Sequence, residues 1–143
     1  MIKAQKGRDQ VLLTPQLVTD AATATANMDC RDGDYATIRI NFAAEQAATS
    51  GDPTISLLES DDTVVTNFTT VTANITKNLE TTGMVRYEVD LRGRRRYLRL
   101  AITAATPDAD ITCGAIGTLS RLDEAPANTT DMQSTTYDTV VIL

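Results

Sequence analysis

From Met84 to Thr103 the chain reads MVRYEVDLRGRRRYLRLAIT, two runs of alternating apolar and polar residues hinged on Leu91-Arg92-Gly93-Arg94. Val85, Tyr87, Val89, Leu98, Leu100 and Ile102 fall on one face, and Arg86, Glu88, Asp90, Tyr97 and Arg99 on the other. A period of two is the signature of strands. The short link lets the two strands pair as a hairpin, with Gly93 and Arg94 as a type II′ loop that places glycine where any Cβ would clash. Val89 then faces Leu98, Tyr87 faces Leu100, Val85 faces Ile102, and Glu88 lies opposite Arg99 on the outer face. Slipping the pairing by one residue would turn one apolar face to water, which sets the register. The alternative is a link that turns a corner between two sheets.

The rest of the chain repeats this pattern. Tyr35 to Phe42 alternates cleanly, with Ala36, Ile38, Ile40 and Phe42 on the apolar face. Val11 to Val18 contains Pro15, which lacks an amide donor and marks an edge strand or a bent connection. Ala21 to Asp29 leads as a strand into the turn Asp29-Cys30-Arg31-Asp32-Gly33-Asp34. Ile55 and Leu57 begin a strand that ends at Glu59-Ser60-Asp61-Asp62, Val64 to Thr72 suggests another, and Asn74 to Thr82 reads as a loop. Ile111 to Leu122 is a long strand whose parity slips at Ile116, with Gly114 and Gly117 as sites for a bulge or a close backbone approach. The apolar Val140-Val141-Ile142-Leu143 at the C-terminus either pairs as a last strand or docks on a neighbouring subunit.

About eight strands at roughly ten-residue spacing, without an amphipathic helix, predict an all-β fold: an antiparallel β-sandwich, jelly-roll-like, with extended terminal arms. The 143 residues suit one domain. Its expected parts are an N-terminal arm over 1–10, a β-sandwich over 11–122, and a linker with a C-terminal arm or last strand over 123–143. Aromatic residues make up 4% of the chain, so the core is expected to be thin and to gain from assembly with neighbours.

The formal net charge of −6 argues against a general nucleic-acid binder, which carries a basic footprint. The chain contains no histidine, which removes histidine-based triads and histidine metal centres. Cys30 and Cys113 lack metal or redox spacing and are expected as two buried thiols, although sequence leaves their pairing open. The acidic turn at 29–34 lacks the calcium-loop ligand pattern, and no phosphate-cradling glycine motif is present. Glu59 with Asp61 or Asp62 is the nearest thing to a paired-carboxylate site, in a turn that offers little to raise a pKa. We therefore expect no enzyme, no cofactor and no metal. The absence of a hydrophobic signal region and of a run of about 18 apolar residues predicts synthesis in a cytosol and no membrane span.

Arg86, Arg92, Arg94, Arg95, Arg96 and Arg99 fall within fourteen positions of an otherwise acidic chain. Guanidinium groups pair well with carboxylates and are enriched at interfaces, so this cluster reads either as a docking patch for an acidic partner or as a charged end that guards a sheet against edge aggregation. Arg92, Arg94, Arg95 and Arg96, with Tyr137, Val140, Val141, Ile142 and Leu143 of the tail, are the candidate partner-binding residues.

Three groups of residues carry a family resemblance: Leu57-Leu58-Glu59-Ser60-Asp61-Asp62 followed by Phe68-Thr69; Gly93 with Arg96-Tyr97-Leu98-Arg99-Leu100; and the Gly114 to Gly117 strand leading to Pro126. In order and spacing they resemble the capsid decoration, or cement, proteins of tailed phages over roughly Ala36 to Pro126. The resemblance implies a β-sandwich or jelly-roll protein on the outer capsid surface of a virion made in a bacterial host. It would be a homo-oligomer, a trimer favoured, that bridges major capsid protein subunits. Two alternatives remain: a head-tail joining or tail-associated structural protein, and a carbohydrate-binding β-sandwich module. The latter usually displays aromatic platforms, and this chain has no tryptophan and four tyrosines.

Overall fold

The computed structural model describes residues 7–19, 21–43, 52–76, 83–105, 110–121 and 139–143. Its strands are β1 (Gly7–Val18), β2 (Thr23–Asp29), β3 (Tyr35–Phe42), β4 (Thr54–Ser60), β5 (Thr69–Thr70), β6 (Ile75–Thr76), β7 (Gly83–Asp90), β8 (Tyr97–Thr103), β9 (Ile111–Ser120) and β10 (Thr139–Ile142). They form two facing sheets. One has the order β1-β9-β3-β7-β10; the other has β2-β8-β4-β5, with β6 also on β4. All pairings are antiparallel except that of β10 with β7.

Leaving aside the short β6 and the terminal β10, eight strands remain, and four pairings explain the whole arrangement: β1 with β9, β2 with β8, β3 with β7, and β4 with β5. The chain behaves as one long hairpin, closed at the β4–β5 turn and rolled up so that successive strand pairs fall on alternate sheets. The topology is a jelly roll.

This wrapping overturns the local hairpin expected over Met84–Thr103. β7 pairs with β3 and β10, whereas β8 pairs with β2 and β4 in the other sheet, so the link between them is the corner that formed the alternative reading. Arg94 N–H donates to Leu91 C=O at 3.0 Å, and Gly93 sits third in that turn with φ +85°, as in a type II turn rather than II′. Val85, Tyr87 and Val89 still face the apolar side of β8, but across the sandwich interior rather than along one ladder. All six apolar residues of the two runs are buried there. Glu88 does not meet Arg99.

Strand β3 pairs on both sides, and Ala36, Ile38, Ile40 and Phe42 all lie in the core. In β9, burial alternates without interruption, Ile111, Cys113, Ala115, Gly117 and Leu119 pointing inward. The expected bulge is therefore absent from β9, and Ile116 simply faces out. The irregularity sits on β1, whose register shifts between Val11 and Leu13 and again between Leu13 and Gln16. That edge strand carries Pro15, where a missing amide costs no ladder bond. The close approach expected at Gly117 is present: a Cβ there would lie 2.8 Å from Met28 Sδ and 3.1 Å from Leu12 Cδ1. β1 begins at Gly7, inside the arm expected over 1–10.

The strand expected over Val64–Thr72 shrinks to the two residues of β5 after a single 3-10 turn, Val65–Asn67. Asp62 explains the difference. Its carboxylate accepts from Val64 N–H at 2.8 Å and from Asn67 Nδ2 at 2.8 Å, and its own N–H donates to Ser60 Oγ at 3.2 Å. Side chains of this type compete with the ladder for backbone groups and fold the chain into a turn. Cys30 and Cys113 are buried free thiols. Cys30 lies just past β2, hydrogen-bonded by its N–H to Arg96 C=O, while Cys113 pairs with Phe42 at the far end of the sheet. At about 3.3 Å per residue along seven residues of strand, they are too far apart to bridge.

Candidate interaction surface

Strand register gathers several segments at one end of the sandwich. Tyr35 aligns with both Asp90 and Ser120, Ser60 with Tyr97, and Asp29 with Tyr97. The turn after β2, the Ser60–Phe68 segment and the β7–β8 corner therefore share this corner end. Leu91 N–H donates to Asp34 C=O at 2.9 Å, joining corner to turn. Arg95 N–H donates to Glu59 Oε2 at 3.4 Å, joining corner to β4.

The arginine cluster, apart from Arg86 within β7, lies here, and most of its guanidinium groups are engaged within the chain. Arg96 donates to both Asp29 oxygens, at 3.1 and 2.7 Å, in the bidentate fork that favours arginine over lysine. Arg92 grips Asp90 in the same way, at 2.9 and 2.6 Å, and lies 5.2 Å from the centre of the Tyr35 ring. Arg94 Nη1 is 3.9 Å from Glu59 Oε2. Arg99 donates to Asn27 Oδ1 at 2.8 Å and stacks 4.2 Å over Phe68. Two residues distant in sequence join them: Arg8 donates to Asp29 C=O at 2.9 Å, and Arg121 pairs with Asp32 at 3.5 Å. What reads in sequence as a basic patch is, in three dimensions, a lattice of alternating charge. The Arg95 side chain is exposed and makes no ion pair among the described residues.

Charge pairing sets the ionisation of the carboxylates. The Arg96 fork holds Asp29 down at about 2, and Arg92 holds Asp90 at about 2. Hydrogen bonds, chiefly from Asn67, also lower Asp62. Burial raises the Cys30 thiol to about 11 and raises that of Cys113 as well. In the acidic turn at 29–34, Asp29 is engaged by Arg96 and Asp32 by Arg121. Of the candidate carboxylates, Glu59 faces Arg94 and Arg95, while Asp62 organises its own turn. Among the described residues no group of three or more histidine, cysteine, aspartate and glutamate side chains could hold a metal ion.

The apolar part of this end comes from residues that the sequence reading placed in a strand. Val64 and Val65 are 54% and 68% exposed, on a turn that Asp62 holds at three points. The Ser60-x-Asp62 spacing, with Asn67 five residues on, is a turn signal legible in sequence. The arrival of Arg8 and Arg121 has no local signal. A second apolar feature lies on the β1–β9 face, where Val11 and Ile116 are opposite one another and 60% and 43% exposed. Beside the β1 irregularity, Leu13, Pro15, Phe42, Cys113 and Gly114 help line a groove of about 310 Å³.

Of the tail residues, Val140, Val141 and Ile142 belong to β10, paired with Arg86, Tyr87 and Glu88, and Leu143 continues the ladder. Leu143 N–H donates to Glu88 C=O, and Asp90 N–H to Leu143 C=O, both at 2.9 Å. Val141 and Leu143 pack against the core. Tyr137 lies outside the described residues. The apolar tail thus pairs on its own domain's sheet, and the arginines lie at the corner.

No family model matches the chain, and no curated protein matches it in sequence. Solved structures do. The chain is similar in fold to a chain of the infectious bursal disease virus Gx strain structure, at 10% identity and a TM-score of 0.49 over 83% of this chain and 32% of that one. It therefore spans about a third of that neighbour's length. It is similar to a chain of cowpea mosaic virus top component, naturally occurring empty particles, at 7% identity and a TM-score of 0.45 over 90% and 92% of the two chains. A third likeness is to a carbohydrate-binding module specific for non-crystalline cellulose, at 13% identity and a TM-score of 0.41 over 72% and 66%.

Proposed function

We propose that this protein is a structural component of a phage virion, a decoration or cement protein that binds the outer surface of an icosahedral capsid and bridges major capsid protein subunits, with copies associating as trimers. One observation carries the reading. The first two segments that resemble decoration proteins are some thirty residues apart in sequence, yet they pair as adjacent strands whose half-buried residues Leu58, Tyr97 and Arg99 share one outer surface, Leu57, Leu98 and Leu100 being core. Leu57, Leu58, Glu59 and Ser60 of the first pair directly with Leu100, Arg99, Leu98 and Tyr97 of the second, and Phe68 closes the patch beneath Arg99. A jelly roll hosts many functions and does not by itself assign one, so the assignment rests on this surface. Its rigid turn, its exposed valines and the Arg95 guanidinium suit a shallow contact repeated many times over a shell, where multivalency compensates for weak individual sites.

The test is reconstitution. Purified protein is added to capsids that lack it, and binding is read by co-sedimentation, copy number by quantitative gel, and resistance by heating. Saturation at one trimer per local threefold, with a rise in the temperature at which shells rupture, is the expected result. A few copies per particle would indicate a head-tail joint instead. Failure to bind shells would overturn the proposal.

A further inference from the structure

The last strand differs from every other strand of the fold. β10 has four residues, pairs in parallel with β7 alone, and lies at the edge of its sheet. Parallel pairs are slightly less stable per residue than antiparallel ones. Its attachment is two terminal hydrogen bonds of Leu143 beyond the ladder and the packing of Val141 and Leu143 against the core.

The chain length leading to β10 far exceeds what the closed arrangement needs. Ser120 of β9 is level with Tyr35 and Asp90, while Thr139 pairs with Val85. The path from the end of β9 to the start of β10 therefore crosses three inter-strand steps, about 14 Å, and descends five residues of strand, about 17 Å, a direct span of roughly 22 Å. The 18 residues 121–138 join these points, a length that spans at most about 60 Å. A connection nearly three times the required span is long enough to place β10 on the β7 edge of an adjacent molecule.

We infer that β10 is an exchangeable strand: at high local concentration, residues 139–143 of one copy pair with β7 of a second copy. Closed and exchanged forms contain the same β10–β7 ladder and the same burial of Val141 and Leu143, so no new contact has to be created. Concentration decides between them, since covalent linkage gives the intramolecular form an effective concentration in the millimolar range, and exchange of an identical element is a low-cost route to association. The occupant is a second copy of this chain, because the edge accepts this sequence in this register. The inference rests on the geometry of β7, β9 and β10 and stands whether or not the protein binds a capsid.

The experiment uses a spin label on a cysteine appended after Leu143; Cys30 and Cys113 are buried and escape labelling. Labelled full-length chain is mixed at about 1 mM with an equal amount of isotope-labelled, unmodified chain, the two are unfolded and refolded together, and amide spectra of the isotope-labelled copy are recorded. Asp90 and Leu91, beside the docked terminus, are expected to lose a fraction of their intensity on the order of half that given by a recipient lacking residues 139–143, whose β7 edge is vacant. Unchanged Asp90 and Leu91 signals in the full-length recipient, with broadening in the truncated one, would show that the strand stays at home and overturn the inference. So would broadening that persists when the donor carries Val141→Asp and Leu143→Asp, because association would then not run through β10.

Discussion

Glu88 lies on the outward parity of β7 and yet is 4% exposed, accepting from Thr37 Oγ1 at 2.7 Å and pairing with Arg86. A buried carboxylate is tolerable only when its oxygens are met. Glu88→Ala would take this acceptor from the Thr37 hydroxyl and the largely buried Arg86, and a loss of about 1–3 kcal/mol is expected in denaturant unfolding. Tyr87, its inward neighbour, is the reverse case. It is completely buried, its hydroxyl has no hydrogen-bond partner among the described residues, and burial pushes its ionisation upward. Removing an unsatisfied buried hydroxyl relieves its desolvation cost, so Tyr87→Phe is expected to stabilise the protein by about 1 kcal/mol in the same assay. A loss of stability would mean that the hydroxyl has a bonding role.

Among elements, the corner between β7 and β8 depends on ionised carboxylates at either side, Asp90 at its start and Asp29 across from Arg96. Both titrate at about 2 in the folded protein, below the ordinary carboxylate value of about 3.9. Groups depressed in this way contribute stability that is complete above their unfolded value and is lost as pH falls toward the folded one. Thermal unfolding should therefore show a decline between about pH 4 and about pH 2. Asp29→Asn should unfold at lower temperature than the parent at about pH 5 and decline less steeply below about pH 4, since only one of the two forks then remains to titrate. Parallel curves for the two proteins would show that the Arg96 fork adds nothing to the fold, as many exposed ion pairs do.

Over the whole molecule, the rolled hairpin gathers charge at the corner end from β1, the 29–34 turn, the β7–β8 corner and the residue after β9, and pairs most of it internally. The exposed groups at this end that make no ion pair among the described residues include Val64, Val65 and the Arg95 side chain. Replacing these three residues as Val64→Ser, Val65→Ser and Arg95→Ala removes no ion pair and no core contact described here, so the fold should hold. On the proposed function, the variant is expected to bind capsids at least about tenfold more weakly than the parent, the scale of a lost interface hot spot. Co-sedimentation at graded concentration measures this, and wild-type affinity in the variant would move the contact elsewhere, the apolar β1–β9 face being next to test.

Strand identity was legible in the residues themselves. Alternation in Tyr35–Phe42, Val85–Val89 and Leu98–Ile102 states which side chains must leave water, and those residues form the core. Pro15 marked an edge strand or a bent connection, and Gly114 and Gly117 a bulge or a close approach; the fold chose the edge at Pro15 and the close approach at Gly117. Pairing was not legible. The apolar faces of β7 and β8 satisfy their burial equally well against each other in one ladder or across the space between two sheets, and only the competition of β2, β3, β4 and β10 for their backbone groups selects the second. The arginine cluster has the same history: its residues are local in the chain, as is the Asp90 partner of Arg92, but Asp29 and Glu59 arrive from β2 and β4. Periodicity reports the polarity of a strand's two faces; its edges carry the same N–H and C=O groups in every sequence, and which strand meets them is decided by how the whole chain wraps.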